Sequence, residues 1–526
     1  MKIGIIGINS KYIHKNLAIY ALYSHVKDLN LDIDLLEFSI NESLDTVFHK
    51  INRGKYDALC FATYVWNKEA ILKLAENFKT INSNIKIVLG GPEISDSYEK
   101  YPFIDNLIIG EGEISFRKLL QSKFAMPKLL VNEKNYIDLN DQPFVYEDIL
   151  DKLENKIVYY EGSRGCPFHC TYCLSSSDNT LRLKSAEKIL TEISILVKNG
   201  VKQVKFIDRT FNANVNWSKS IVEGLVLLEK YKCNFHFEVS LDKMNDSLVE
   251  LLHVSPDKLF QLEIGIQTTN ANTLKAINRN NDFEKIKERI ELLLSKGNLH
   301  LHTDLIAGLP YENLESFKKS FNNIYMLKAQ MLQVGFLKVI PNTIMYRDAM
   351  NYGIKYRNYP PYEILENSWL SSDDLLEIKY VEEAIDNFYN KKYFRQTFVY
   401  IMGIVDDHFN LFQNMGKLLF NMDNLLSLND KYEFLYNFLI NFIPKLDKVI
   451  IFALLQLDWC LTNKKKRMPY FLRFEKPIDD FITLPIEISF TGHDITEMKI
   501  KSTVYRINYE KVWSIYDYPV IEKVLL

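Results

Sequence analysis

Cysteine is scarce in this chain, six residues in 526, which excludes the disulfide-dense scaffolds of small secreted domains. An excess of one charge is also missing: 64 Lys and Arg stand against 67 acidic residues, for a net charge of -3. Such balance gives no general electrostatic reason to bind nucleic acid or an anionic membrane, so partners must be read from sites. Long apolar runs are lacking too. "VIIFALLQLDWCL" (449–461) is interrupted by Gln456 and Asp458 and falls short of the roughly 20 residues a membrane span needs. The opening "MKIGIIGINSKYIH" breaks its apolar run at Asn9 and has no small-residue cleavage site, so it reads as a buried strand and not a signal peptide. These absences predict a cytoplasmic protein. What is there is an ordinary globular composition, 47% hydrophobic and 25% charged, in a chain long enough for two to four domains.

Alternation of apolar runs and helical patterns divides the chain. "KIGIIGIN", "DIDLLEFSI", "DALCFATYV", "IKIVLGG" and "NLIIGEGE" read as five strands with helices between them, including 15–29 and 43–53. Residues 1–125 are therefore expected to form a doubly wound parallel sheet. Periodicity fades over 126–155, an extended connector. A second series, 156–348, begins with "KIVYYEGSRGC" and runs through five further strand ends to "MLQVGFLKVIPN". Six strands with polar residues or Gly at their carboxyl ends predict a partial (β/α)6 barrel of the TIM type with chemistry on that rim. Residues 349–526 read as a mainly helical, aromatic-rich C-terminal domain, with a strand pair in "ITLPIEISFTG" and "STVYRINY". The overall fold class is α/β, followed by that helical region.

Three of the six cysteines, Cys166, Cys170 and Cys173, lie within eight residues in "EGSRGCPFHCTYCLSSS", on the loop after the first barrel strand. Cys60, Cys233 and Cys460 are scattered singly and read as small buried hydrophobes. In a reducing compartment a clustered trio binds metal more often than it forms disulfides. Three thiolates can converge on one centre and leave a metal position without a protein ligand. Zinc would need a fourth ligand; His169 lies inside the motif, but the second ligand pair typical of structural zinc does not occur.

The motif "CPFHCTYC", Cys-x3-Cys-x-aromatic-Cys with Tyr172 in the aromatic slot, resembles the signature of the radical S-adenosylmethionine (SAM) superfamily. The resemblance implies a 4Fe-4S cluster held by Cys166, Cys170 and Cys173. Its open iron is chelated by SAM, and reductive cleavage of SAM gives a 5'-deoxyadenosyl radical. It also implies SAM contacts from Tyr172 and from the strand ends: Asp208 in "FIDRTFN", Glu238 in "FHFEVS", Glu263, Gly265 and Gln267 in "EIGIQTTN", and Gly308 and Pro310 in "LIAGLP". Arg209 and Asn212 are further candidates beside Asp208. Strand alternation puts Glu263, Gly265 and Gln267 on one face, where buried polar groups are costly unless they meet a partner.

In a five-stranded sheet of order 2-1-3-4-5, ligands bind beyond the carboxyl ends where the order reverses. Those ends carry "NSKYIHKN", "ATYVWN", "GGPE" and "GEGE". Such a sheet ahead of the barrel resembles the cobalamin-binding radical SAM subgroup, and 349–526 resembles a C-terminal extension found in some of its members. The resemblance implies cobalamin contacts from Asn9, Lys11, Thr63, Tyr64, Gly90, Gly91, Gly110, Glu111 and Gly112. The Asp-x-His-x-x-Gly motif of methionine-synthase-type domains is absent. Asn9, Lys11 and His14 stand at its Asp, His and Gly, and a protonated Lys11 is no cobalt ligand. His14 is the alternative ligand.

The expected activity is SAM cleavage with cobalamin-relayed methyl transfer to an unactivated carbon or phosphorus, acting on a small-molecule or peptide substrate. An electron donor such as flavodoxin or ferredoxin is the expected partner. Radical SAM rearrangement or cyclisation, with or without cobalamin, is the enzymatic alternative, and an iron-sulfur electron carrier or redox sensor the non-enzymatic one. A methylthiotransferase is disfavoured because the first domain lacks a second cysteine trio.

Overall fold

In a computed structural model of the protein, all residues are described except 12–13, 133–135, 178–179, 423–425, 464–466, 474–480, 492–493, 500, 502, 509–519 and 525–526. The chain divides into two compact units. One comprises Met1–Pro167, Asp178–Phe237 and Arg357–Tyr362; the other comprises Phe168–Ser177, Glu238–Tyr356 and Glu363–Leu526.

The first unit opens with a parallel sheet of β1 (Lys2–Asn9), β2 (Asp32–Ser39), β3 (Ala58–Ala62), β4 (Lys86–Gly90), β5 (Asn106–Ile109) and β6 (Leu129–Val131), in the order β2-β1-β3-β4-β5-β6. The five expected strands are present. The sixth is a three-residue edge strand in the segment read as a connector, too short to show a period. Helices α1 (Leu17–Ser24), α2 (Leu44–Arg53), α3 (Lys68–Ile81) and α4 (Gly112–Gln121) follow β1, β2, β3 and β5. Ser43 fixes the start of α2 by accepting a hydrogen bond from the Thr46 amide, and Asn16 does the same for α1 through Ile19. The helix expected over 15–29 ends at Ser24, followed by a short 3-10 turn, Lys27–Leu29.

β1 is buried over seven of its eight residues, as a central parallel strand must be when helices cover both faces. Ile6, Leu59, Ile87 and Leu107 pack with Ile71 and Leu74 of α3 at 1% exposure or less. Full burial of each such side chain contributes about 1.5–3 kcal/mol. The order reverses between β1 and β3, which fixes where a ligand mouth lies: beyond Asn9 and Ala62.

The second sheet contains β7 (Ile157–Tyr160), β8 (Gln203–Phe206), β9 (Asn234–Val239), β10 (Phe260–Gln267), β11 (His300–Ala307) and β12 (Met331–Phe336), in the order β12-β11-β10-β9-β8-β7. A helix stands between each consecutive pair, among them Ala186–Lys198, Val215–Val226, Asp246–Val254 and Phe283–Ser295. The strictly sequential order is that of the expected partial barrel. In the second unit, Leu262, Ile264 and Ile266 on β10 are buried. The opposite face of that strand carries Gln261, Glu263, Gly265 and Gln267.

The C-terminal region is mainly helical, with helices Ser372–Ala384, Arg395–Met402, His408–Phe420, Leu428–Phe442 and Lys448–Thr462. Several of its aromatics are core: Phe398, Phe409 and Phe412 are at most 1% exposed, while Phe420 and Tyr470 face solvent. Asp458 is fully buried because it caps a neighbouring helix, accepting from the amides of Gln396 (2.9 Å) and Thr397 (3.0 Å) and from the Thr397 hydroxyl (2.8 Å). Phe481–Leu484 pairs with Thr503–Asn508 as the sequence indicates, while Glu487–Thr491 pairs antiparallel with Asp494–Lys499. The ends of the expected pair at Gly492, Ser502 and Tyr509 lie outside the described residues. No helix among the described residues is long and apolar enough to cross a membrane.

Candidate active site

The cysteine loop leaves β7 at Tyr160, and its first half belongs to the first unit. Asp208, just beyond β8, holds that half in place. Its Oδ1 accepts from the Ser163 hydroxyl at 2.5 Å and its Oδ2 from the Gly162 amide at 3.2 Å. Glycine is required at 162, since a Cβ there would stand 3.1 Å from Asp208 Oδ1 and 3.2 Å from Trp217 Cζ2. Asp208 is 0% exposed, and burial pushes its carboxyl up to about 7, only partly opposed by the hydrogen bonds from Ser163 and Gly162. Its role here is to shape the loop. Asn212 is buried beside it in sequence and Arg209 is exposed.

Arg164, two residues before Cys166, is enclosed by carboxylates. Nη1 lies 2.9 Å from Glu111, and Nη2 lies 2.5 Å from Glu113 and 2.9 Å from Glu161. Glu113 is almost wholly buried, yet Arg164 holds its carboxyl below the usual range. Glu111 also pairs with Arg182. Cys166 is buried, with Sγ 3.7 Å from Thr210 Oγ1.

The second half of the loop belongs to the second unit. Thr171 anchors it on both sides: its amide donates to the Ile277 carbonyl at 3.1 Å, and its carbonyl accepts from the Met345 amide at 2.8 Å. The Cys173 amide donates to the Cys170 carbonyl at 3.1 Å, closing a turn that brings the two cysteines together. Arg279 fixes this turn. Its Nη1 donates to Tyr172 Oη at 3.0 Å and lies 3.9 Å from Cys170 Sγ, and its Nη2 donates to the Gly265 carbonyl at 2.7 Å. None of the six cysteines is in a disulfide. Three of them on one anchored loop are a donor set suited to an iron-sulfur cluster.

Beyond the loop, Glu263 of β10 stands in register with His302 of β11, and Gly265 with Asp304. His302 Nε2 is 3.1 Å from Asp304 Oδ1 and its Nδ1 is 3.9 Å from Glu263 Oε2. Gln267, at φ 71°, folds its amide back over Gly265, where a Cβ would meet Nε2 at 2.4 Å; its own Oε1 is buried without a partner among the described residues. Such an orphaned acceptor suits a ligand contact. Gly308 (φ 91°) and Pro310 are buried, and a Cβ at 308 would meet Ile364 at 2.9 Å. Glu238 is half-buried on β9.

At the mouth of the first sheet, the Asn9 side chain is bound into the protein. Its Nδ2 donates to Glu37 and to the His14 carbonyl, both at 3.1 Å, and its Oδ1 accepts from Asn16 at 3.1 Å. Lys11 is exposed. His14 Nδ1 lies 2.8 Å from Tyr159 Oη, and the two rings stack. Thr63 is fully buried and its Oγ1 has no partner among the described residues, an orphan at the expected ligand mouth. Tyr64 stacks on Trp66, ring centroids 4.4 Å apart and ring planes nearly parallel, and Trp66 is half exposed.

Gly91 has its glycine for an internal reason: φ is 116°, and a Cβ would lie 2.4 Å from the Thr63 carbonyl. Gly90 is in ordinary contact with Ile108. Gly110 (φ 87°) makes the turn into α4, which Gly112 begins. Arg164, Arg279, His302 and Asp304 are functional candidates that sequence reasoning missed. Only adjacency to the cysteines, for Arg164, or strand alternation, for His302 and Asp304, could have signalled them.

Comparison with known proteins agrees with this layout. Residues 3–120 match the family described as B12 binding domain, 160–324 the Radical SAM superfamily, and 350–512 a protein of unknown function family (DUF4080). The cobalamin-dependent radical SAM methyltransferase TokK of Streptomyces tokunonensis is 27% identical over 335 residues, 54% of this chain and 47% of that protein. The 2-(S-pantetheinyl)-carbapenam-3-carboxylate methyltransferase of Streptantibioticus cattleyicolor is 23% identical, over 62% of this chain and 54% of that one. The chain thus spans about half the length of these curated relatives. Among solved structures, OxsB with aqua-cobalamin and S-adenosylmethionine bound superposes with a TM-score of 0.61 at 15% identity, covering 87% of this chain and 78% of that one. TsrM of Kitasatospora setae, with tryptophan and a SAM analogue bound, gives 0.56 at 13% identity, covering 68% and 79%. At these identities the structures speak to the fold. Three family models thus match in order along the chain, a B12 binding domain over the stretch that carries the mouth, the Radical SAM superfamily over the stretch that carries the cysteine loop, and DUF4080 over the C-terminal region.

Proposed function

We propose that the protein is a cobalamin-dependent radical SAM methyltransferase acting on an unactivated centre. Its parts are a cobalamin-binding-like domain at 1–125, a connector at 126–155, a radical SAM core at 156–348 and a C-terminal extension at 349–526. The observation that carries the reading is the cysteine trio, outside any disulfide on an anchored loop, in one chain with a doubly wound sheet whose switch-point mouth holds the buried Thr63 hydroxyl, without a partner among the described residues. When bound, the cluster supplies the electron that cleaves SAM to a 5'-deoxyadenosyl radical, and cobalamin supplies the transferable methyl group.

Cys166, Cys170 and Cys173 hold the cluster. Arg279 holds Tyr172 and the Cys170 turn against the end of β10. Asp208 shapes the approach to Cys166 through Ser163 and Gly162. Gln267, Glu263, Gly308 and Pro310 contact SAM, and Thr63 and Tyr64 contact cobalamin. The substrate is a small molecule or peptide, and a flavodoxin or ferredoxin in the cytoplasm supplies electrons.

The test is an anaerobic preparation with iron, sulfide and cobalamin, assayed for metal content and for 5'-deoxyadenosine release from SAM. About four irons and one cobalt per chain with reductant-dependent deoxyadenosine is the expected result. Iron and deoxyadenosine without cobalt would sink the cobalamin reading, and a Cys170→Ala variant that still cleaves SAM would sink the cluster assignment.

A further inference from the structure

Arg164 takes no part in the chemistry assigned above, yet it is the most heavily paired cation on the cysteine loop. Its side chain is 14% exposed and meets Glu111, Glu113 and Glu161 together. Glu161 lies three residues upstream in the same loop, so that pair stiffens the loop itself. Glu111 and Glu113 lie more than fifty residues earlier, on the rim of the first sheet. Glu111 is the N-cap of α4 and Glu113 is in its first turn, immediately after the Gly110 turn that ends β5. The pairing therefore connects a loop expected to face cobalamin with a position two residues from Cys166.

A second tie within the same unit runs parallel. His14, on the loop after β1, bridges to Ile157 of β7 and bonds Tyr159. Loops at two separated strands of the first sheet are thus fastened to the strand and loop that present Cys166. Three carboxylates gathered around one guanidinium, with Glu111 shared with Arg182, make an arrangement that no single pair could replace. The planar fork satisfies several acceptors at fixed angles, which an ammonium cannot do.

We propose that Arg164 is a positioning residue that couples the cobalamin mouth to the cysteine loop, so that occupancy of one site orders the other. This rests on the two-cofactor reading above. Because Arg164 bonds the rim loop and the cysteine loop at once, a loop ordered by its cofactor presents Arg164 or its glutamates in place for the other. The free-energy coupling is reciprocal by necessity.

The experiment measures cobalamin affinity by absorbance titration of the full chain, before and after anaerobic cluster reconstitution, in wild type and Arg164→Met. In wild type, reconstitution tightens cobalamin about tenfold, within the usual range of allosteric coupling. In Arg164→Met the two affinities agree within about twofold, whatever their absolute values. A purely structural role for Arg164 would weaken both and leave their ratio unchanged. Arg164→Lys, which keeps the charge and loses the fork, gives a reduced ratio and decides the matter if the Met variant does not fold. A ratio preserved in both variants, or a wild type with no ratio to lose, overturns the coupling alone. A wild type that binds no cobalamin in either state overturns the two-cofactor reading itself.

Discussion

Asp208→Asn separates two opposing effects on the cysteine loop. In the folded protein Asp208 is sealed from water, and burial raises its carboxyl to about 7 against an ordinary value near 3.9. The Ser163 hydroxyl and Gly162 amide favour the anion and lower the value, but not enough to cancel the burial. A carboxyl raised on folding binds more protons in the native than in the unfolded state between those two values. Stability therefore falls as pH rises from about 4 to about 7. Three pH units of difference correspond to at most about 4 kcal/mol, and partial relaxation of the unfolded chain and local water entry bring the expected effect to about 1–3 kcal/mol.

Asparagine keeps the Oδ1 acceptor for Ser163 and never ionises. The stability difference between Asp208→Asn and wild type, measured by urea unfolding at pH 5 and pH 8, should therefore shift in favour of the variant by that amount at the higher pH. Trp217, whose Nε1 donates to the Lys184 carbonyl and whose ring abuts Gly162, gives a fluorescence signal beside the site. Taking the difference between two proteins cancels every other titrating group. A difference independent of pH, or one that moves against the variant as pH rises, would refute the argument that burial outweighs the hydrogen bonds at Asp208.

Arg279→Met should cut iron retained after reconstitution several-fold and cost about 2–4 kcal/mol, because the Gly265 carbonyl and Tyr172 lose a charged donor; iron per chain and the cluster's paramagnetic spectrum check it, with partial rescue by lysine. Gly91→Ala should destabilise the first sheet by about 2–4 kcal/mol, since it combines a φ of 116° with a contact of 2.4 Å to the Thr63 carbonyl; a thermal melt and cobalamin retention are the readouts. Asp458→Ala should cost about 2–4 kcal/mol by leaving the Gln396 and Thr397 amides uncapped in the core, while the isolated step of SAM cleavage stays within about twofold of wild type.

Much of the architecture is written in local patterns. The apolar runs of β1, β3 and β4 are continuous because both faces of a parallel sheet are covered, and the switch in period marks each helix. The cysteine trio, the polar face of β10 and the turn glycines are likewise contained in a few consecutive residues, so they can be read without coordinates. Three-residue β6 and the antiparallel pairing of Glu487–Thr491 with Asp494–Lys499 were not legible, because their pairing depends on neighbours and not on a period of their own.

Function divides in the same way. The sequence alone singled out the thiols proposed to hold a cluster and showed that the lysine at position 11 cannot replace a histidine on cobalt, since both readings rest on side-chain chemistry and spacing. Tertiary structure alone decided that Asn9, Asp208 and Glu111 spend their polar atoms on protein partners, and that Arg164 and Arg279 hold the cysteine loop from either side of Cys166 and Cys170 in sequence. The physical reason is that an ion pair or a buried hydrogen bond joins residues separated by many tens of positions, and its strength depends on burial and geometry, which exist only once the chain has folded.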